Sequence, residues 1–183
     1  MNTSTSVEKL FVGVLGNVGA GKSYTWRQLL RAGDPPSDGW VAVPLGEDEY
    51  VDVFLIDRYS GCHEQLGTIL NLPIVFCSLL YEPFVKEYLQ RFIDFDYRLY
   101  IQWLNPGCSS QNRSPRLDTL DVVGQLKYGK STVGIRSGAV AAEARVEELR
   151  DFVRKWARAH NLTYRRLAPH PDGVVAARSI ITR

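Results

Sequence analysis

Residues that build disulfide scaffolds and structural zinc sites are scarce in this sequence. The 183 residues include three cysteines, an odd number without a Cys-x-x-Cys pair, and three histidines. Only Cys62 and His63 are adjacent, and two neighbouring side chains do not complete a metal site. We therefore expect neither disulfides nor structural zinc, and free thiols are typical of cytoplasmic proteins.

Long hydrophobic runs are also absent. No stretch approaches the roughly 18 consecutive apolar residues of a membrane-spanning helix. Residues 1–6 are polar, without the apolar core that follows a basic start in signal peptides. The sequence thus predicts a soluble, cytoplasmic chain with no membrane span.

Neither sign of charge is in large excess. Twenty-two Lys and Arg face twenty Asp and Glu, a formal net charge of +2, which argues against binding to nucleic acid or membranes through bulk charge. The halves differ, because residues 1–97 hold 7 basic and 13 acidic side chains and residues 98–183 hold 15 and 7. Nucleic acid therefore stays an open partner for the basic second half.

Strand-like segments occur throughout the chain. A short polar turn, residues 46–49, separates period-2 runs at 41–45 and 51–55, which predicts an antiparallel hairpin. A further strand is expected at 162–167. Three other runs are apolar or aromatic and typical of buried parallel strands: residues 10–15, 73–80 and 97–104.

Three segments are predicted to be helices: residues 21–32, 82–95 and 139–160. In the second of these, Phe84, Tyr88, Phe92 and Phe95 are predicted to form the buried face. In the third, basic residues alternate with acidic ones and predict a solvent-exposed face of i,i+4 ion pairs: Arg145, Arg150, Arg154, Lys155 and Arg158.

Strands that alternate with helices predict an α/β fold. We expect a three-layer α/β/α sandwich with a mostly parallel sheet and one antiparallel hairpin strand, in a single domain over residues 1–183. Residues 1–8 are expected to be disordered. Residues 105–138 lack sustained periodicity and are expected to form a long, mobile insertion. Residues 174–183 are either a final strand or a tail that docks a partner.

The motif that carries chemistry is a complete G-x-x-x-x-G-K-S between the first predicted strand and a helix. This is the context of a phosphate-binding Walker A loop. Its glycines let backbone N–H groups turn toward a phosphate, and the positive end of the helix favours the same anion. Lys22 would reach the β- and γ-phosphates and Ser23 would hold Mg²⁺. The predicted nucleotide-binding residues are Gly16, Asn17, Val18, Gly19, Ala20, Gly21, Lys22, Ser23 and Tyr24.

A Walker A loop usually works with an acidic residue at the end of a buried strand, because Mg²⁺ needs a carboxylate directly or through water. Asp57 follows the apolar run 53–56 and is the predicted partner of Ser23 at the metal. Lys22 and Asp57 are therefore candidate catalytic residues.

The order of loop, helix, hairpin and Asp57 resembles the Ras-like small GTPases, in which a hairpin strand ends in Asp-x-x-Gly. Here Asp57-Arg58-Tyr59-Ser60-Gly61 is one residue longer. The resemblance implies Mg²⁺ with GTP or GDP, slow hydrolysis, and a protein partner or activator that supplies an Arg in trans. His63 and Gln65 follow Gly61, near the family's water-orienting Gln, and are the other candidate catalytic residues.

Two features of that family are missing. No Thr lies between Trp26 and Gly67 to close on the metal, and Asn105-Pro106-Gly107-Cys108 stands where the guanine-reading Asn-Lys-x-Asp is found. ATP and ADP therefore stay open beside GTP and GDP.

Two alternatives remain from the same residues. The loop is also similar to that of deoxynucleoside kinases, and Asp57-Arg58-Tyr59 resembles the Asp-Arg-Tyr of thymidylate kinases, with Arg113 and Arg116 as lid arginines. Only 34 residues separate Lys22 from Asp57, however, which favours the GTPase-like order over those kinases. The other alternative is a pseudo-NTPase that serves as an interaction subunit.

Overall fold

The computed structural model describes residues 8–33, 38–57, 66–105, 118–127, 129–137, 142–166 and 179–180. Strands and helices alternate along most of the chain. In order they are β1 Lys9–Gly16, α1 Lys22–Leu30, β2 Gly39–Pro44, β3 Glu49–Ile56, α2 Leu66–Ile69, β4 Ile74–Leu80, α3 Phe84–Asp94, β5 Tyr97–Asn105, α4 Val122–Leu126, β6 Ser131–Ser137, α5 Ala142–Ala159, β7 Tyr164–Arg165 and β8 Ser179–Ile180.

The strands form one mostly parallel sheet. Its parallel part has the order β6-β5-β1-β4-β3, so that β4 lies between the loop-bearing β1 and β3. The predicted α/β class and the antiparallel β2–β3 hairpin are confirmed. The expectation of a single antiparallel strand is wrong. Strand β7 also pairs antiparallel with β3, at Glu49 and Tyr50, whereas β4 pairs with β3 nearer its carboxyl end. Strand β8 in turn pairs antiparallel with β7.

Helices cover both faces of the sheet, because the apolar residues of the strands alternate between two core clusters. Leu10, Val12 and Val14 of β1 pack in the cluster that contains residues of α1 and α5. Phe11 and Leu15 pack in the cluster that contains residues of α2, α3 and α4. Each fully buried Leu or Phe contributes about 1.5–3 kcal/mol. The arrangement has three layers, as the alternating pattern predicts.

The buried face of α3 differs from the predicted one. Residues at i, i+3, i+4 and i+7 are buried, namely Val85, Tyr88, Leu89 and Phe92. Phe84 and Phe95, which were predicted for this face, are 61% and 46% exposed. The prediction gave the aromatic rings priority, whereas the helical period places Val85 and Leu89 over the sheet.

Much of the predicted insertion 105–138 is regular structure. Strand β6 pairs with β5 over seven residues, and α4 buries Val122 and Leu126. The expectation of a long, aperiodic insertion is therefore wrong for 118–127 and 129–137. Strand β6 is at one end of the sheet order, so its sequence carries little of a central strand's apolar signal. The basic residues Arg113 and Arg116 lie outside the described residues.

Three arginines of α5 bond the β2–β3 hairpin, and we call Arg150, Arg154 and Arg158 the arginine ladder. The Arg150 guanidinium, 4% exposed, donates to the carbonyl oxygens of Leu29 at 3.0 Å and Pro44 at 2.8 Å. Arg154 donates to the Leu45 carbonyl at 2.6 Å, and Arg158 bonds the Glu49 carboxylate. The predicted solvent-exposed face is thus wrong for Arg150, which is buried, whereas Arg154 is half-buried and Arg158 is exposed as predicted.

Arg145 was assigned to the same solvent-exposed face and is also buried. Its side chain lies against α1 and donates to Thr25 Oγ1 at 3.4 Å, while the Gln102 side chain donates to its backbone carbonyl. The spacing of charged residues along a helix does not predict which of them tertiary packing will bury.

The described part of the chain contains no helix that is both long and apolar enough to cross a membrane. The predicted disorder of residues 1–8 concerns mostly residues outside the description, but Glu8 is held by a bond from Arg98 Nε at 3.2 Å.

Candidate functional site

The loop between β1 and α1 has the backbone of an anion-binding turn. Gly19 and Gly21 have φ of +77° and +94°. Residues other than glycine rarely adopt this left-handed backbone conformation. Gly21 is the N-cap of α1, and no side chain caps the first N–H groups of this helix. Those N–H groups and the positive end of the helix dipole therefore point into the loop, where they suit a phosphate.

Gly16 fixes where the loop lies. A Cβ at this residue would come within 2.8 Å of the Ala20 Cβ and 3.2 Å of the Leu104 carbonyl oxygen. The loop therefore folds back over the ends of β1 and β5 only because residue 16 has no side chain. The tip of the loop, Val18, is 85% exposed.

Lys22 folds into the loop at the start of α1. Its Nζ donates to the carbonyl oxygens of Gly16 at 3.0 Å and Asn17 at 2.7 Å. Burial lowers the pKa of Lys22, and the negative charges of Asp57 and Glu82 act in the opposite direction. The ammonium is thus held at the centre of the loop with incomplete charge compensation from the described residues, which favours an anionic ligand.

Asp57 follows β3 and lies beside the first turn of α1. Ser23 Oγ is 3.2 Å and 3.3 Å from the two oxygens of the Asp57 carboxylate. The structure thus brings together the two residues that the sequence predicts for the metal, although they are 34 positions apart. A second hydroxyl, Ser78 Oγ, donates to Asp57 Oδ1 at 2.9 Å.

Four side chains are joined by hydrogen bonds with Ser78 at the centre, and we call them the Asp57 network: Ser23, Trp26, Asp57 and Ser78. Ser78 lies on β4, the strand between β1 and β3, and its hydroxyl accepts a bond of 2.8 Å from Trp26 Nε1. Both Trp26 and Ser78 are buried. A buried indole and a buried hydroxyl therefore fix the orientation of a carboxylate at the edge of the site.

The start of the β2–β3 hairpin is also hydrogen-bonded to Asp57. Asp38, directly before β2, accepts a bond of 2.9 Å from the backbone N–H of Asp57. Residues 34–37, which precede it, lie outside the description. The end of β3 is thus fixed by three elements, namely α1, β4 and the start of the hairpin.

The oxygen donors at this site fit Mg²⁺. The Ser23 hydroxyl and the Asp57 carboxylate are hard oxygen ligands, and Mg²⁺ is usually bound through one or two protein oxygens together with substrate phosphates and water. No group of three or more His, Cys, Asp or Glu side chains able to hold a metal ion occurs among the described residues. The donor set therefore suits a metal that arrives with a phosphorylated ligand.

Several predicted residues are not assembled by the structure. His63 and Gln65, the candidates for orienting a water molecule, lie outside the described residues, as do Arg58 and Tyr59. Tyr24 is described and lies in the first turn of α1, where its side chain is 40% exposed.

Sequence reasoning missed Trp26 and Ser78 as parts of the site. The signal for Ser78 was present, since it is a lone hydroxyl within the apolar strand 74–80. Trp26 carried no comparable signal, because a tryptophan on an amphipathic helix is usually a core residue.

No family model matches the chain, and no curated protein is similar enough to be a relative. The assignment of a function consequently rests on the geometry of the loop and of the Asp57 network.

Proposed function

We propose that the chain is a P-loop nucleotide-binding protein that holds a Mg²⁺-nucleoside triphosphate at residues 16–23 and hydrolyses it or switches on it. The observation that carries the proposal is the contact of Ser23 with Asp57 beside the uncapped start of α1. A hydroxyl and a carboxylate meet there at the carboxyl end of a parallel sheet, where α/β folds bind their ligands.

The described residues have distinct roles in this proposal. The N–H groups of residues 17–22 bind the phosphates, and Lys22 exchanges its bonds to loop carbonyls for bonds to phosphate oxygens. Ser23 and Asp57 would hold the metal, which would supply positive charge to the phosphates. Trp26 and Ser78 orient the Asp57 carboxylate through the bonds of the Asp57 network.

The choice of base is the second part of the proposal. The β2–β3 hairpin is a feature shared with Ras-like GTPases and favours GTP. In that family, however, the strand bearing the Asp lies directly beside the loop strand, whereas here β4 separates β3 from β1. GTP is therefore the first ligand to test and ATP the matched competitor, and a protein partner is expected to accelerate hydrolysis.

The test is a competition titration of the purified chain with fluorescent GTP and ATP analogues, with Mg²⁺ and with EDTA. We expect binding that Mg²⁺ strengthens at least about tenfold, since a charged ligand contact contributes roughly 1.5–3 kcal/mol. The Asp57→Asn variant should lose the strengthening by Mg²⁺ and keep metal-free binding, whereas the control Asp94→Asn should retain both. Equal affinity with and without Mg²⁺ in the wild type would contradict the proposed metal site.

A further inference from the structure

The insertion of β4 between β1 and β3 places the residues after β4 next to the loop. Gly16, where the loop begins, is in register with Leu80, the last residue of β4. The Tyr81 N–H donates to the Gly16 carbonyl at 3.4 Å. Glu82 thus follows one residue after a direct contact with the loop, at the carboxyl end of the sheet.

The backbone of Glu82 is fixed on both sides. Its N–H donates to the Leu80 carbonyl at 3.0 Å, and its carbonyl accepts a bond of 2.9 Å from the Val85 N–H. Pro83 comes next and starts α3. On the other side, the Tyr81 ring stacks on Trp103 with 5.0 Å between centroids. The backbone that carries the Glu82 side chain is therefore positioned before a ligand binds.

The charge of Glu82 acts at the site although its side chain is exposed. Among the described residues, Asp57 and Glu82 are the two whose negative charges raise the pKa of Lys22 against the effect of burial. Asp57 already accepts bonds from the hydroxyl groups of Ser23 and Ser78. Glu82 is exposed and follows directly after Tyr81, whose N–H bonds the Gly16 carbonyl at the start of the loop.

We propose that Glu82 is the general base of nucleotide hydrolysis by this chain, an inference that rests on the proposed function. Its carboxylate accepts a proton from a water molecule while the water oxygen forms a bond to the γ-phosphorus. The bond between that phosphorus and the β–γ bridging oxygen breaks, and its electron pair leaves with the nucleoside diphosphate. The products are the diphosphate and inorganic phosphate, and Glu82 returns its proton to solvent.

The test measures binding and turnover separately on the full chain with Mg²⁺-GTP and Mg²⁺-ATP. Affinity is read with the fluorescent analogue, and single-turnover hydrolysis is followed by release of inorganic phosphate. We expect Glu82→Gln to lower the rate about 100-fold or more, the usual contribution of a general base, with affinity within about threefold of wild type. The control Glu87→Gln, on the exposed side of α3, should change neither.

Two further readouts separate a base from a structural residue. The loss in Glu82→Gln should lie in kcat, with KM for the nucleotide within about threefold of wild type. Glu82→Asp, which keeps the charge but withdraws the carboxylate by one methylene, should retain part of the rate. Thermal melting of each variant checks that the fold is intact, as expected for an exposed side chain.

The failures of the two proposals are distinguishable. If Glu82→Gln hydrolyses nucleotide within about threefold of wild type, or if the wild type binds Mg²⁺-nucleotide without hydrolysing it, Glu82 is not the base and the nucleotide site stands. A loss of rate in His63→Ala or Gln65→Ala with no loss in Glu82→Gln would likewise overturn the inference. If the wild type binds no nucleotide, the proposed function itself has failed.

Discussion

Two polar clusters in this molecule each link elements that are distant in sequence, but they are built differently. In the arginine ladder, guanidinium groups of α5 donate mainly to backbone carbonyls of α1 and the hairpin, as when Arg150 bonds Leu29 and Pro44. In the Asp57 network, side chains bond side chains, and the network ends at Asp57, whose charge acts on the half-buried Lys22 that bonds loop carbonyls.

The difference lies in whether the described residues satisfy each cluster by themselves. Each of the three nitrogens of the Arg150 guanidinium has an acceptor among the described residues, so this arginine is satisfied without a ligand. Within the described part of the chain, the bonds of Lys22 Nζ go to carbonyl oxygens, which carry no full charge, and burial opposes its positive charge. Under the proposed function, Lys22 and the neighbouring Asp57 network would therefore gain from an anion with its metal ion, whereas Arg150 gains from folding alone.

The largest expected effect is on stability, from Arg150→Ala. Truncation leaves the carbonyls of Leu29 and Pro44 without their donor, at about 1–3 kcal/mol for each buried group. We expect the free energy of unfolding in urea to fall by about 3 kcal/mol, with nucleotide affinity unchanged in the folded protein.

The matched control for that change is Arg98→Ala, because Arg98 pairs with Glu8 while 41% exposed. Its loss should cost less than about 1 kcal/mol. A similar cost for both variants would show that the ladder is not the structural cluster we describe.

A smaller effect is expected from Ser78→Ala, which breaks the Asp57 network at its centre. The buried Trp26 Nε1 loses its partner, at about 1–2 kcal/mol of stability. Asp57 also loses one of its fixed bonds, which should weaken Mg²⁺-nucleotide binding severalfold. Both quantities are measured on the same preparation, by urea unfolding and by titration.

The double variant Ser78→Ala with Trp26→Phe separates the effect on stability from the effect on nucleotide affinity. Removing both polar partners should recover part of the lost stability but none of the lost affinity. Recovery of affinity as well would contradict the role of Ser78 in orienting Asp57.

The smallest expected effect is on the pH dependence of stability, through the ion pair of Glu49 with Arg158. The bond from Arg158 lowers the pKa of Glu49, so this pair stabilises the fold at neutral pH and its contribution is lost as the pH falls through the lowered pKa, below about 4.5. Because the Arg158 side chain is 59% exposed, the contribution is about 0.5 kcal/mol. Arg158→Gln should flatten the unfolding free energy over this range, and an unchanged pH dependence would contradict the assignment.

The sequence predicts what is local. The glycines, Lys22 and Ser23 lie within eight consecutive residues, and their backbone conformation follows from glycine itself. The β2–β3 hairpin is local as well, since four residues join its strands. Asp57 was predictable because an apolar strand delivers it to the carboxyl end of the sheet.

What could not be predicted depends on contacts between distant segments. The sheet order places β4 beside the loop strand β1, so that Ser78 of β4 meets Asp57 and Glu82 follows shortly after β4, and no local pattern encodes that order. Likewise, α5 packs on α1 and the hairpin, so arginines with the spacing of a solvent-exposed face are buried. Strand β6 was missed because its polar residues are tolerated at the end of a sheet.

The measurement that tests the central claim most directly is equilibrium binding of Mg²⁺-nucleotide to wild type, Lys22→Ala and the surface control Lys130→Ala. Loss of the charged bonds from Nζ should weaken binding by about 30-fold or more, while Lys130→Ala binds as wild type does. The unfolding free energy of Lys22→Ala should not fall, since burial disfavours its charge. Unchanged affinity in Lys22→Ala would contradict the assignment of residues 16–23 as a nucleotide site.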